Sequence, residues 1–249
     1  AYLRAEVAAI KARDKTDKVI LIGSGRGGNA IRNYIQNGDG AGSVSHAVLA
    51  GTPAHGVWAV KGLREQSEFS GLSRFLTELN KPKDATGNEV PAGVQWQTLR
   101  SDRNDKYAQP TGEWIGNPSL NTNIGPASQA LKGAQNVVLP GVDHREAAHS
   151  PAAFGAMYNF LMGKAPETYE VKPETQATLD GVISGVEGQS AGFPSNLPLK
   201  GAHIEVWPVN AETGIRTTTT PAYTYTTTRD GRWGGFAADP KQTLSLIHI

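Results

Sequence analysis

The sequence predicts an α/β fold with a mainly parallel sheet, followed by a small β module. Three observations predict it. Short apolar strand runs alternate with amphipathic helical stretches up to residue 163. A glycine-rich turn, Gly23-Ser24-Gly25-Arg26-Gly27-Gly28, joins an early strand run to a helix. Beyond residue 178 helical spacing stops, and short alternating runs between turn residues take over.

The elements follow in order. Leu3, Val7 and Ile10 recur at helical spacing with charges between them, so the chain opens in what reads as the middle of a domain. Lys18–Ile22 (KVILI) is a short buried-strand run. Asn29–Asn37 reads as a helix with Ala30, Ile31, Tyr34 and Ile35 on one face and Gly38 as its stop. His46–Ala50 is a second strand. Glu68–Asn80 is expected to be a helix, with Phe69, Leu72, Phe75, Leu76 and Leu79 along one face. Val94–Arg100 and Asn136–Leu139 are the next strands. Ser150 then offers an N-cap, with Pro151 at the first helical position and Phe154, Met157, Tyr158 and Leu161 as the apolar stripe.

Residues 164–178 hold Pro166, Pro173 and several charges with little periodicity, and read as a linker between a first domain, 1–163, and a β module, 179–243. In that module Ala202–Val209 alternates, and Pro208 marks an edge or a strand end. Arg229-Asp230-Gly231 is a turn ahead of Trp233 and Phe236. The tail 244–249, LSLIHI, looks like the translation of a common sequencing adapter; the alternative is an edge strand.

Composition narrows the function. Hydrophobic residues make up 38% and charged residues 19%, ordinary for a soluble globular protein. A net charge of +1 without a basic cluster gives no case for nucleic acid. No apolar run reaches the roughly 18 residues of a membrane helix. Cysteine is absent, so disulfides and thiolate chemistry are out. Neither a metal nor a cofactor is expected.

Two chemistries use a strand, a glycine turn and a helix in this order. Gly23, Gly25 and Gly28 match GxGxxG, in which the backbone approaches a pyrophosphate at a helix N-terminus. NAD(P) binding also needs an acidic residue about 20 positions further on, to hold the ribose. Between Asp39 and Glu65 there is none. The alternative is the nucleophile elbow, GxSxG, a strained turn that exposes a serine. Aligned on its glycines, the elbow is Gly23-Ser24-Gly25-Arg26-Gly27, and its nucleophile slot falls on Gly25 rather than Ser24. Glycine suits the backbone of that slot but supplies no oxygen.

The flanking residues resemble the lipase/esterase branch of the α/β-hydrolases. Gly27, Gly28 and Arg32 fit its G-x-S-x-G-G-x-x-x-R segment, and Gly51-Thr52-Pro53-Ala54-His55-Gly56 fits a GTPxHG segment that lipases often carry after the following strand. The resemblance covers about residues 1–163; the β module looks like a carboxypeptidase-regulatory or transthyretin-like sandwich, cut short. It implies an α/β-hydrolase sheet whose first strands would precede residue 1, leaving the side of the Lys18–Ile22 strand exposed. It implies a triad in the order nucleophile, acid, histidine. Asp105, with Pro110 at the matching distance, is the first choice of acid and Asp102 the second; either could instead be a solvated loop carboxylate. His144 stands where the family's histidine stands, whereas His149, beside the cap Ser150, reads as structural, and His55 as a loop histidine packed near the site. One oxyanion donor would be the N–H of Arg26; the other would come from a loop upstream of residue 1.

The function implied is hydrolysis of carboxylic esters, small or polymeric, in a secreted or periplasmic setting, with the Gly25 form inactive. A dinucleotide oxidoreductase and a non-catalytic binding relative are the alternatives. Oligomeric state is not legible.

Overall fold

The computed structural model describes residues 2–114, 117–170, 172, 174–185 and 198–248. Residues 186–197 of the expected β module and Ile249 of the expected tail lie outside them. The chain divides into two compact units, Ala1–Tyr169 and Glu170–Ile249.

The first unit runs α1 (Tyr2–Asp14), β1 (Val19–Ser24), α2 (Arg26–Asn37), β2 (Val44–Ala50), α3 (Arg74–Leu79), β3 (Gln95–Ser101), β4 (Glu113–Trp114), β5 (Asn117–Asn121), a 3-10 turn (Pro126–Gln129), β6 (Gln135–Leu139), α4 (Glu146–His149) and α5 (Pro151–Met162). Four strands form one sheet in the order β1-β2-β3-β6, and every pairing in it is parallel. Parallel strands need crossovers, and α2 and α5 supply cover on opposite faces. On one face Ile31, Tyr34 and Ile35 of α2 and Val7 of α1 pack on Val19, Ala47, Leu49 and Trp96. On the other, Ala147, Ala153 and Met157 pack on Val48, Ala50, Leu99 and Leu139. Burying each large aliphatic side chain contributes about 1.5–3 kcal/mol. β2 has both faces covered, and Ala47 to Ala50 are buried in succession. Among the described residues β1 pairs only with β2, and its Ile20 and Ile22 are exposed.

The Ser150 hydroxyl accepts the Ala153 N–H and starts α5, with Pro151 next; Gly163, left-handed at φ 69°, ends it. The expected helix over 68–80 is shorter. Val57 N–H donates to the Phe69 carbonyl and Gly71 N–H to the Trp58 carbonyl, so these backbone groups are spent on the loop around residue 57. The helix begins only after Ser73, whose side chain accepts from Leu76 N–H. The helical spacing of Phe69 and Leu72 therefore has no helix behind it.

In the second unit β7 (Ala177–Val182) pairs antiparallel with β10 (Arg232–Ala238). A second sheet has the order β11-β8-β9, with β8 (His203–Pro208) between β9 (Tyr223–Thr226) and β11 (Leu244–His248). Pro208 is the last residue of β8, a position where its missing N–H costs little. The two sheets share a core of Ile183, Ala202, Ile204, Val206 and Trp233, joined by Leu179, Tyr223, Phe236 and Leu244. An α/β layer followed by antiparallel strands is the fold class the sequence predicts.

Candidate active site

The candidate residues leave the carboxyl ends of the parallel strands, where open α/β sheets place their ligands. Gly25 follows β1, Gly51 follows β2, Asp105 lies beyond β3 and His144 beyond β6. The last two loops are laced together. Ser101 Oγ donates to the Val142 carbonyl at 2.7 Å, and Asn104 Nδ2 donates to the Gly141 carbonyl at 2.7 Å. That lacing brings residues 39 apart in sequence into contact: His144 Nδ1–H donates to Asp105 Oδ2 at 2.9 Å.

Gly25 is the N-cap of α2, with φ 51° and ψ −122°. Its N–H is spent on the Ala50 carbonyl at 2.8 Å. A Cβ added at Gly25 would meet only the His144 ring, 3.1 Å from Nε2. The imidazole thus turns one nitrogen to Asp105 and the other to the elbow. Arg26 opens α2, so its N–H has no intrahelical acceptor, and its guanidinium pairs at the surface with Glu68 at 3.0 Å. Ser24 ends β1 and is exposed.

Asp105 is 1% exposed. Burial pushes its carboxyl up, but hydrogen bonds from His144, Gln129 and the Tyr107 N–H together outweigh burial and hold it below its ordinary 3.8. It therefore accepts as a carboxylate, and the proton of the shared bond belongs to His144 Nδ1. In the neutral ring Nε2 is then the bare nitrogen, facing Gly25. Asp102 is not brought to His144. It accepts the Gly141 N–H at 3.1 Å and keeps the loop in place.

Gly25, Arg26 and His144 line a pocket of about 370 Å³ with Pro53, Val57, Trp58, Phe69, Tyr107 and Trp114. Tyr107 meets the His144 ring edge to face, centroids 4.9 Å apart. The pocket is a slot walled by aromatic rings with an Asp–His pair at its base. None of the four aromatic residues was singled out as a site residue from sequence. They stand in loops or on the two-residue strand β4; no periodicity marks Trp58, Tyr107 or Trp114, and the helical spacing of Phe69 pointed to a helix the structure does not form there.

Of the remaining glycines of the turn, Gly23 and Gly28 serve packing, whereas a Cβ at Gly27 would meet no neighbour. A Cβ at Gly28 would run into Thr52 Oγ1, so only glycine lets α2 lie against the GTPxHG loop. Arg32 of α2 is fully buried and bridges that loop to α3. Its Nη1 donates to Asn29 Oδ1 and the Ala54 carbonyl, and its Nη2 to the Leu79 carbonyl and Asn80 Oδ1. Burial draws its pKa down to about 10, so it remains charged at neutral pH.

His55 does not reach the pocket. Its Nδ1 faces the Ser128 carbonyl at 2.8 Å and its Nε2 faces Glu89 Oε1 at 2.7 Å. Its pKa is raised above 6.5, chiefly by the bond to Glu89, against burial and the Arg32 charge. Burial pushes the Glu89 carboxyl up, but the N–H bonds from His55 and Lys132 carry it below 4.5. The pair's contribution to stability is complete between pH 4.5 and 6.5. It is lost as pH rises through the folded His55 value and as pH falls through the folded Glu89 value. A double-mutant cycle of His55→Asn and Glu89→Gln, read by urea unfolding, is expected to give a coupling of about 1 kcal/mol inside that window. At a pH well above the folded His55 value the coupling is expected to fall; equal coupling at both pH values would contradict the ion pair.

The family described as the lipase C-terminal domain matches residues 176–248, which hold the second unit's strands. No curated protein matches the chain. Among solved structures, a Bacillus licheniformis lipase, BlEst2 in its propeptide form, is similar over 99% of this chain and 60% of its own, at 15% identity and a TM-score of 0.47. The product of the gene lin2722 from Listeria innocua is similar over 68% of this chain and 69% of its own, at 14% identity and a TM-score of 0.42. The chain thus spans 60% of the length of that lipase. The chain pairs a parallel α/β layer with a segment, 176–248, that matches the family described as the lipase C-terminal domain.

Proposed function

We propose that the first unit carries the site of a carboxylic ester hydrolase whose nucleophile position is Gly25, so that this chain binds esters without turning them over by the serine route. One observation carries this: His144 offers Nε2 to the elbow while Asp105 holds Nδ1. In such a site a hydroxyl at position 25 would attack the ester carbonyl as His144 Nε2 takes its proton. The same nitrogen would then return the proton to the leaving alkoxide. Asp105 would fix the tautomer and stabilise the imidazolium. The Arg26 N–H, at the mouth of α2, would face the developing oxyanion. The aromatic slot suits the acyl or aryl part of an ester, small or from a polymer, and a secreted or periplasmic setting belongs to the same proposal. Among the described residues no helix is long and apolar enough to cross a membrane.

The test is binding without turnover. A p-nitrophenyl ester or its alkylphosphonate analogue is expected to quench Trp58 and Trp114 fluorescence saturably, with no burst of p-nitrophenol. Trp114→Ala weakens the binding. Failure to bind esters of any acyl length would sink the proposal. The dinucleotide alternative has its own check. With Gly28 spent on Thr52, NAD and NADP are expected not to bind; saturable binding of either at about micromolar concentration, an ordinary ligand affinity, would restore it.

A further inference from the structure

Asp105 Oδ2 receives a second donor besides His144. Gln129, 3% exposed, donates from Nε2 to that same oxygen at 2.6 Å. A carboxylate only accepts, so the amide must present its nitrogen there. The other end of the amide, Oε1, is buried with no partner among the described residues. A buried acceptor left unpaired is costly, and it persists here on the side chain whose donor grips the acid.

We propose that Gln129 is a positioning residue for the Asp105–His144 pair, and that the His55–Glu89 ion pair is the clasp that holds it. This rests on the functional reading of that pair given above. Gln129 ends the 3-10 turn Pro126–Gln129. The preceding residue, Ser128, gives its carbonyl oxygen to both His55 Nδ1 at 2.8 Å and His55 N–H at 3.2 Å. Glu89 takes His55 Nε2 on one oxygen and the Lys132 N–H on the other, at 2.8 Å. Both His55 nitrogens face acceptors, so the ring sits there as an imidazolium. Arg32 is the other cation felt by both members. The segment 128–132 is thus gripped at two points by one charge pair, and Gln129 lies between them. The consequence is a fixed Asp105 carboxylate. With Tyr107 N–H on Oδ1 at 2.8 Å and Gln129 on Oδ2, it cannot swing away from His144.

The experiment reads the His144 tautomer in this chain as it stands, by long-range proton–nitrogen NMR on histidine-labelled protein, with His144→Gln to assign the signals. The unaltered chain is expected to show neutral His144 protonated at Nδ1 only. Gln129→Met, similar in length but without the donor, is expected to give a mixture of tautomers and a broadened Nδ1–H signal. Glu89→Gln, nearer the surface and the same shape, gives a smaller change of the same kind if the clasp acts through Gln129. In a longer Gly25→Ser form that includes the upstream oxyanion loop, Gln129→Met lowers kcat by about 10²-fold with KM unchanged. A mixture in the unaltered chain would break the Asp105–His144 pairing, and the proposed function with it. A single tautomer in the unaltered chain and in folded Gln129→Met overturns only the positioning role. No change in Glu89→Gln overturns the clasp.

Discussion

Gly25→Ser, made in a longer form that includes the upstream oxyanion loop the resemblance implies, is expected to turn a protein that ignores a fluorophosphonate probe into one labelled stoichiometrically at position 25. The backbone is already in place for it: φ 51° and ψ −122° describe a strained turn, one that costs a non-glycine residue about 1–3 kcal/mol. The added Cβ falls 3.1 Å from His144 Nε2, so the ring yields by a few tenths of an ångström and the hydroxyl comes within reach of the base. Hydrolysis of p-nitrophenyl esters then appears with a burst, as an acyl-enzyme requires. His144→Ala in the Gly25→Ser background abolishes labelling and burst together. Asp105→Asn depresses turnover by about 10⁴-fold, because the amide no longer selects the tautomer with Nε2 bare. Asp102→Asn is expected to be mild, since that carboxylate serves the Gly141 N–H. A folded Gly25→Ser longer form inert to probe and to short, long and polymeric esters alike would defeat the hydrolase proposal. If Asp102→Asn were the damaging change, the acid would be misassigned.

Arg32→Met is expected to cost about 3–5 kcal/mol, because it strands several buried acceptors at about 1–3 kcal/mol each. Its guanidinium satisfies four acceptors from three segments: Asn29 Oδ1, the Ala54 and Leu79 carbonyls, and Asn80 Oδ1. Methionine fills part of the volume and leaves those acceptors dry, at about 1–3 kcal/mol for each that water cannot reach. Arg32→Lys recovers little, because one ammonium cannot span both the Ala54 and the Leu79 sides of the fork. The measurement is urea unfolding followed on the tryptophans of the first unit. A shift below about 1 kcal/mol, the scale of an ordinary surface change, would show that the network carries no such load. The same substitution frees the GTPxHG loop, so ester binding in the slot is expected to weaken before the fold is lost.

The legible parts of this molecule are those in which neighbours in sequence are neighbours in space. The turn from Ile22 to Gly28 announces itself because strand, glycines and helix are consecutive. Ser150-Pro151 announces α5 for the same reason. The sequence favours Asp105 over Asp102 because Pro110 follows at the matching distance, and the lacing of Ser101 and Asn104 onto residues 141–142 sets Asp105, not Asp102, against His144. The aromatic wall and the clasp were not legible. Trp58, Tyr107 and Trp114 stand where no period of 2 or 3.6 applies, and Phe69 carried a helical spacing that led elsewhere. His55 meets Glu89 across 34 residues and Ser128 across 73, separations over which local pattern is silent. The expected helix over 68–80 failed for the same cause: its first turn gives its backbone bonds to a distant loop.

A slot that keeps its base and its acid but has lost its oxygen has a use of its own under the proposed function. In a working hydrolase the apparent affinity for substrate mixes association, acylation and release, and it equals the dissociation constant only when chemistry is slow. Under that proposal the missing hydroxyl at Gly25, opposite His144 Nε2, would stop the chemistry without touching the walls. The occupancy time of an ester is then set by its departure alone. This chain becomes a gauge of ground-state affinity, and pairing it with its Gly25→Ser form would separate how tightly the slot holds an ester from how fast the pair behind it could cut one.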